Sequence, residues 1–359
     1  METGKYAVLA QTASNSGDIT GAHGDQNLWI VSFNETGNLL WQKSFGGSKS
    51  ERLYGMDYSS FDGSLVISAV TNSNDGDVSG FHGGYDSWLV KLSNTGQLLW
   101  QKALGGSANE NPSQLLIDQS GQLIFSAETN SSDGDVSGFH GVRDAWVVSL
   151  SSSGNLVWQK SLGGSGTDLP ARIYADGNGY TLLAITQSNN DGDVRGNHYK
   201  SDTLVGDTST TILFYSDIWI VHVGNNGALE WRKCLGGSGE DTPGELFFMD
   251  GKRLLVASSG SSDGDAAPAS GKGQGLWFVK LGLSNIIKGN VFLDLNANGI
   301  RDANEPGYDK VSVKSEKTNY NRVSIPYNGT FKNEVDTGTY TTIVTVANPY
   351  FAVHTAPNR

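Results

Sequence analysis

The stretch DGDVSGFHGGYDSWLVKLSNTGQLLWQKALGGS, Asp75 to Ser107, decides the fold, because versions of it recur along most of the 359 residues. Related copies begin at Gly17, Asp133, Asp191 and Asp263. In register, their first tryptophans are Trp29, Trp88, Trp146, Trp219 and Trp277, spaced by 59, 58, 73 and 58 residues. A second Trp follows twelve residues later in four copies, at Trp41, Trp100, Trp158 and Trp231, each with a glycine pair soon after. A fixed period of this size means a solenoid or a propeller.

Hairpins decide between the two. SQLLIDQ (Ser113 to Gln119) and QLIFSAET (Gln122 to Thr129) flank a Ser-Gly turn. After a polar loop from Asn130 to Arg143, AWVVSLS (Ala145 to Ser151) and NLVWQKSL (Asn155 to Leu162) form a second pair. Four antiparallel strands per period make a propeller blade, whereas solenoid coils use short parallel strands. Flat tryptophans on successive strands suit the space between blade faces. The first unit begins at its second strand, KYAVLAQT, and the last ends at its third, LWFVKL, which predicts further blades upstream in a longer chain.

Composition agrees with an all-β class: Gly 47 against Pro 8, with nine Trp and no helical periodicity. A net charge of −12 and no Lys/Arg cluster argue against a nucleic-acid partner. No apolar run approaches the ~20 residues of a membrane helix, so no membrane insertion is expected. METGKYAVLAQT reads as a strand and not as a signal peptide. The single cysteine, Cys234, stands where other copies carry Ser44, Ala103 and Ser161, and so reads as a small buried residue.

The run LGGSGEDTPGELFFMDGKRLLVASSGSSDGD, Leu235 to Asp265, and its relatives resemble the bacterial seven-bladed propeller repeat family. The shared features are the glycine-pair turn, the strand ending in Asp before a Gly turn, and the later DxWxVKL-like strand. The DGDVSG version resembles repeats of exported multidomain bacterial proteins, including cargo of the type IX secretion route. The resemblance covers residues 1 to about 285 and implies an extracellular or cell-surface location without implying catalysis.

From Ile286 the period stops. IIKGNVFLDLNANGIRDANEPGYDKVSV resembles the opening of SdrD B-like and Cna-B-like sandwich modules of bacterial surface proteins. The expected architecture is therefore all-β: β-propeller repeats over 1–285, about five blade units from a larger ring, then a β-sandwich over 286–359, cut short at its C-terminus.

The sharpest chemical motif is DLNANGIRDANE, Asp294 to Glu305. It matches the twelve-residue calcium loop: Asp294, Asn296 and Asn298 at positions 1, 3 and 5, Gly299 at 6, Ile300 at 7, Asp302 at 9 and Glu305 at 12. Alternate side chains of a curled loop point inward, Gly299 permits the bend, and Ile300 offers its carbonyl. Strand-like NVFLDL before it and Pro306 after it argue against a helical EF-hand.

The aspartates at 75, 77, 86, 133, 135 and 144, and the histidines at 23, 82, 140 and 198, recur at equivalent repeat positions. The aspartates could bind calcium or cap turns through backbone N–H groups, and their recurrence in the units favours a scaffold role; the histidines, at equivalent positions in different blades, cannot converge on one zinc and read as turn or packing residues. TGQLLW and SGNLVW share the Gly-to-Trp spacing of quinoprotein propellers, yet Val90 and Leu92 replace the Ala and Asp of the docking pattern. No GxSxG, HExxH or phosphate loop is present. The fourth copy is interrupted, with 26 residues from Asp193 to Trp219 against 11 from Asp135 to Trp146. Specificity on a repeat scaffold tends to sit in such an insertion.

These features favour a non-enzymatic secreted or cell-surface binding or adhesion scaffold with a calcium-stabilised spacer. A glycan or extracellular protein is the expected ligand. The alternative is a secreted propeller enzyme, a hydrolase or a quinone-dependent oxidoreductase.

Overall fold

The computed structural model describes residues 4–177, 179–198, 201–205, 210–249, 252–266, 274–281, 285–317, 320–335 and 339–346. Two compact units divide the chain: Met1–Glu245 with Val256–Phe278, and Leu246–Leu255 with Val279–Arg359. The fold is all-β, with propeller-like four-stranded blades followed by a small sandwich.

The first sheet holds β1 (Lys5–Thr12), β2 (Asn27–Asn34) and β3 (Leu39–Phe45). The second holds β4 (Glu51–Tyr58), β5 (Leu65–Thr71), β6 (Asp86–Leu92) and β7 (Leu98–Leu104). The third holds β8 (Glu110–Ile117), β9 (Leu123–Thr129), β10 (Asp144–Leu150) and β11 (Leu156–Leu162). In the fourth, β12 (Asp168–Asp176) and β13 (Gly179–Thr186) join β16 (Asp217–Gly224) and β17 (Leu229–Leu235). The interruption forms its own hairpin, β14 (Ser201–Val205) with β15 (Thr210–Phe214). A three-stranded sheet follows: β18 (Asp241–Met249), β19 (Lys252–Ser259) and β20 (Gly275–Leu281). First strands begin at the acidic residue after the glycine pair, so β8 starts at Glu110 and not at the predicted Ser113.

Packing alternates with period two, as the pleat requires. On β5, Leu65, Ile67 and Ala69 join Leu28 and Ile30 of the first sheet, while Val66 points the other way to Phe125 and Trp146 of the third. On β9, Ile124 turns to Leu182, Trp219 and Val221 of the fourth. Both faces of these central strands are covered, which is why β6 and β10 are buried throughout and carry near-continuous apolar runs. Each large apolar side chain removed from water contributes about 1.5–3 kcal/mol.

The two tryptophans of the first three repeats have separate duties. The first donates its Nε1–H to a glutamine on the last strand: Trp29 to Gln42 (2.9 Å), Trp88 to Gln101 (2.7 Å) and Trp146 to Gln159 (2.7 Å). The second reaches the turn of the next sheet, where Trp41, Trp100 and Trp158 donate to the carbonyls of Asn94, Ser152 and Asn225 at 3.1, 3.1 and 2.8 Å. Gly96, Gly154 and Gly227 sit in those turns at φ near +78°, and a Cβ there would stand within about 3 Å of the indole. Only glycine satisfies both the left-handed turn and the contact.

In the sandwich, β21 (Asn285–Asn290) pairs with β24 (Thr330–Val335). The other sheet places β22 (Val311–Lys317) between β23 (Tyr320–Ser324) and β25 (Thr341–Val346). Val311, Val313 and Phe331 form its core, with Ile287, Tyr308 and Val344 against them. Among the described residues no helix is long and apolar enough to cross a membrane.

Candidate functional site

The repeated acidic loops are built into the links between sheets. After each last strand the chain passes through its glycine pair, and the next sheet's DGD loop closes over it. The Ser48, Ser107, Ser165 and Ser238 N–H groups donate to Asp75, Asp133, Asp191 and Asp263 Oδ1 at 2.7, 2.8, 2.8 and 2.7 Å. Two positions on, the N–H groups of Asp77, Asp135, Asp193 and Asp265 donate to the first glycine carbonyl of each pair at 2.7–2.9 Å. Hydrogen bonds from Ser48 and Ser107 hold Asp75 and Asp133 below the ordinary carboxylate range, and those from Ser165 do the same for Asp191.

The repeated histidines belong to the same frame. His82, His140 and His198 bond Asp86, Asp144 and Asp217 through Nδ1, each at 2.9 Å, and through the backbone N–H at 2.9, 3.0 and 2.9 Å. Burial raises those three carboxyls despite these bonds, and raises Asp168 despite bonds from the Ser188 hydroxyl and the Gly164 N–H. Cys234 is buried, and burial first, then the Asp217 charge, push its thiol up to about 12. It is no nucleophile at neutral pH.

Departures from the repeat are fewer. One position in the third strand reads Ser32, Lys91, Ser149, His222 and Lys280 in the five units, so lysine occurs twice and histidine once. Lys91 is buried, and its Nζ donates to Asp62 (2.7 Å) and to the Ser152 carbonyl (2.8 Å). Burial opposes ionisation of Asp62, but the Lys91 and Ser64 bonds win and hold it far below the usual range. His222 is buried beneath Trp231, ring centroids 5.4 Å apart, with Thr181 Oγ1 at 3.0 Å and Asp176 and Glu230 each at 3.6 Å. Register against the other copies is the signal that exposes both. A cavity of about 210 Å³ lies between the first two sheets beside Ser32, Trp41, Tyr58 and Asp62, below the size of a typical ligand pocket. Tyr199 of the insertion lies outside the described residues.

The structure gathers every residue of the proposed calcium loop into one curl. Asp294 accepts from the N–H groups of Gly299 (2.7 Å) and Asn298 (3.2 Å), which hold its carboxyl below the usual range. Asn298 Oδ1 accepts from the Ile300 N–H (2.7 Å), and the amides of Asn296 and Asn298 both donate to Asp302 Oδ2, at 2.7 and 2.9 Å. Glu305 is 3% exposed and accepts from the Leu295 (2.8 Å) and Asp302 (2.9 Å) N–H groups. Ala297 (φ 57°) and Gly299 (φ 77°) turn the chain inward. The Leu293 N–H bond to the Pro306 carbonyl (3.0 Å) clamps the ends. Among the described residues no three His, Cys, Asp or Glu side chains converge at metal-binding distance, and Glu305 is turned onto backbone N–H groups. The donor set is nonetheless all oxygen, which fits a hard cation.

No protein-family model matches the chain. Colossin-C of Dictyostelium discoideum is 26% identical over 270 residues, covering 69% of this chain and 25% of that protein, so the chain spans about a quarter of that relative's length. A Bacteroides caccae protein of unknown function aligns over 70% of this chain and 82% of its own at 10% identity and a TM-score of 0.32. Synechocystis apocarotenoid oxygenase, as a Glu150Asp mutant, aligns over 86% of this chain and 72% of its own at 13% identity and a TM-score of 0.34. Similarity at that level carries no statement about activity.

Proposed function

We propose that the chain is a non-enzymatic binding scaffold of the extracellular space or bacterial cell surface, with blades that carry recognition loops and a calcium-stabilised SdrD B-like sandwich as spacer. The observation that carries this reading is the fate of the repeated polar side chains. Asp75, Asp133, Asp191 and Asp263 each accept from a serine N–H of the preceding link, and His82, His140 and His198 each hold an aspartate of their own sheet. Side chains committed identically in successive units form a frame, not a single reaction centre.

Recognition then falls to what is not repeated, above all the β14–β15 hairpin. Its ligand on this reading is a glycan or an extracellular protein. A glycan array and a panel of matrix proteins, probed with the full chain and with a variant whose residues 199–215 are replaced by the loop of the third unit, tests this. Binding that disappears with the hairpin supports the reading; binding unchanged by the swap removes the hairpin from it.

Calcium would be held by the side-chain oxygens of Asp294, Asn296, Asn298, Asp302 and Glu305 and the Ile300 carbonyl. The ion supplies a fixed double charge that ties the strand before the loop to the segment after it. Ionised Asp294 is ready to ligate, while Glu305 must leave its two N–H partners. Two amides among the donors lower the ligand charge, which suits the ~10⁻⁴–10⁻³ M affinities of extracellular modules.

The enzyme alternative has one observation in its favour, the unrepeated His222 with Asp176, Thr181 and Glu230. Thr181 Oγ1 already donates to Asp176 Oδ2 (2.6 Å), and Thr181 is fully buried, which favours a structural role for the group.

A further inference from the structure

We infer that one end of the second and third sheets binds an acidic sugar, with the Tyr54 ring as its platform and Arg52 as the partner of its carboxylate. The inference rests on the binding-scaffold reading but assigns recognition to residues outside the β14–β15 hairpin. The backbone sets the place of Tyr54. Each of three first strands carries a β-bulge that leaves one residue without a cross-strand partner: Tyr54 in β4, Ser113 in β8 and Ala171 in β12. A bulge re-aims its side chain out of the ladder. Ser113 accordingly reaches over to the next first strand, where its hydroxyl donates to the Pro170 and Ala171 carbonyls at 3.1 Å. Ser113 is exposed although β4 and β12 pack on either side of its strand, so exposure belongs to the position and not to whatever precedes the first sheet. The second sheet alone places a large side chain there: Tyr54, 46% exposed, stands where Ser113, Ala171 and Gly244 stand in the others.

Polar groups that do not repeat gather at the same end. Asn111, Glu128 and Arg143 stand where the fourth unit has Leu169, Ile185 and Ser216. Asn111 lies opposite Glu128 across the β8–β9 pair, and its Nδ2–H donates to Glu128 Oε1 at 2.6 Å. Arg143 Nη1 is 3.6 Å from the other carboxylate oxygen. Burial first, then the Glu128 charge, raise the Tyr54 phenol, so ring and carboxylate share one neighbourhood. The Arg52 guanidinium lies over the Tyr85 ring, 5.3 Å from its centroid, and among the described residues no carboxylate pairs with it.

These groups set the chemistry of the ligand. A sugar ring has an apolar face, which suits an exposed aromatic ring, and a rim of hydroxyls that both donate and accept. The Asn111 amide, the Glu128 carboxylate and the Arg143 guanidinium offer donors and acceptors side by side to such a rim. Glu128 neutralises Arg143, which leaves Arg52 for one negative charge in a chain whose net charge is −12. The planar fork of arginine meets a carboxylate through two parallel hydrogen bonds. A doubly charged phosphate would meet the Glu128 charge with only one free cation to hold it. The fit is therefore to a sugar that carries a single carboxylate, a uronic acid.

The test is calorimetric titration of trigalacturonic acid and of its methyl ester into the full chain, with EDTA present so that the 294–305 loop takes no part. The acid should bind saturably. Binding should weaken by about tenfold or more for the ester, and for the acid in Arg52→Gln, the worth of a hydrogen bond between charged groups. Tyr54→Ser, which copies the third sheet at this position, should weaken the acid about as much; urea midpoints close to the parent's show that both variants fold. Absence of binding, equal binding of acid and ester, or equal binding of a tetraglutamate peptide overturns the inference. Binding that survives both substitutions but disappears when residues 199–215 are replaced also overturns it, and leaves the hairpin reading standing.

Discussion

Two acidic loops of similar composition behave oppositely. The loop from Asp133 to Asp144 sends its carboxylate across to another link, where Asp133 takes the Ser107 N–H, and its histidine back to Asp144. The loop from Asp294 to Glu305 keeps its carboxylates at home, with Asp294, Asp302 and Glu305 all accepting from their own turn. Outward bonds join neighbouring sheets, whereas inward bonds shape a cage. Asp and Gly content alone does not distinguish them; the direction of the hydrogen bonds does.

The comparison breaks most severely if the sheets do not share one core. Trp146→Ala empties a site filled by a fully buried indole between sheets, and should cost about 3–5 kcal/mol in urea unfolding. A loss below about 1 kcal/mol would mean the sheets pack independently. Next comes Glu110→Ala, which strands the Gly106 N–H and the Thr129 hydroxyl at a buried link. We expect about 3 kcal/mol, read from the same unfolding curves.

A smaller effect, of opposite sign, sharpens the account of the fourth unit. Arg232 occupies the place of Gln42, Gln101 and Gln159, and arginine has no acceptor to offer. Trp219 Nε1 is accordingly buried without a hydrogen-bond partner. Arg232→Gln should stabilise the chain by about 1 kcal/mol, measured as a raised urea midpoint.

The smallest effect is with pH. Asp86, Asp144, Asp168 and Asp217 have raised folded values, so their contribution is complete below the ordinary 3.8 and is lost as pH rises through the raised values. Asp75, Asp133 and Asp191 are lowered, so theirs is present above 3.8 and lost as pH falls through the lowered values. The urea midpoint should therefore rise as pH falls from about 7 toward about 4, then turn down.

The sheets were legible because a repeat prints its period: two tryptophans, a glycine pair and strands separated by glycine-containing turns mark the hairpins. Strand starts were less so. β8 extends back to Glu110 because that carboxylate anchors the link, a role invisible until Gly106 and Thr129 are seen to surround it. The curl at 294–305 was readable from spacing, since Asx residues at alternate positions with one glycine have few other conformations. The Lys91–Asp62 and His222 groups were not, because strand alternation hides a polar residue between apolar ones. Nor was the hairpin within the insertion, whose flanking residues carry none of the repeat's marks.

The contrast between the two loops is tested most directly by calorimetric titration of calcium into the full chain, repeated with Asp294→Ala and with Asp133→Ala. The account predicts one saturable site of about 10⁻⁴–10⁻³ M in the parent chain and in Asp133→Ala, and none in Asp294→Ala. Calcium binding that survives Asp294→Ala but vanishes with Asp133→Ala, or no binding to the parent chain at all, would contradict it.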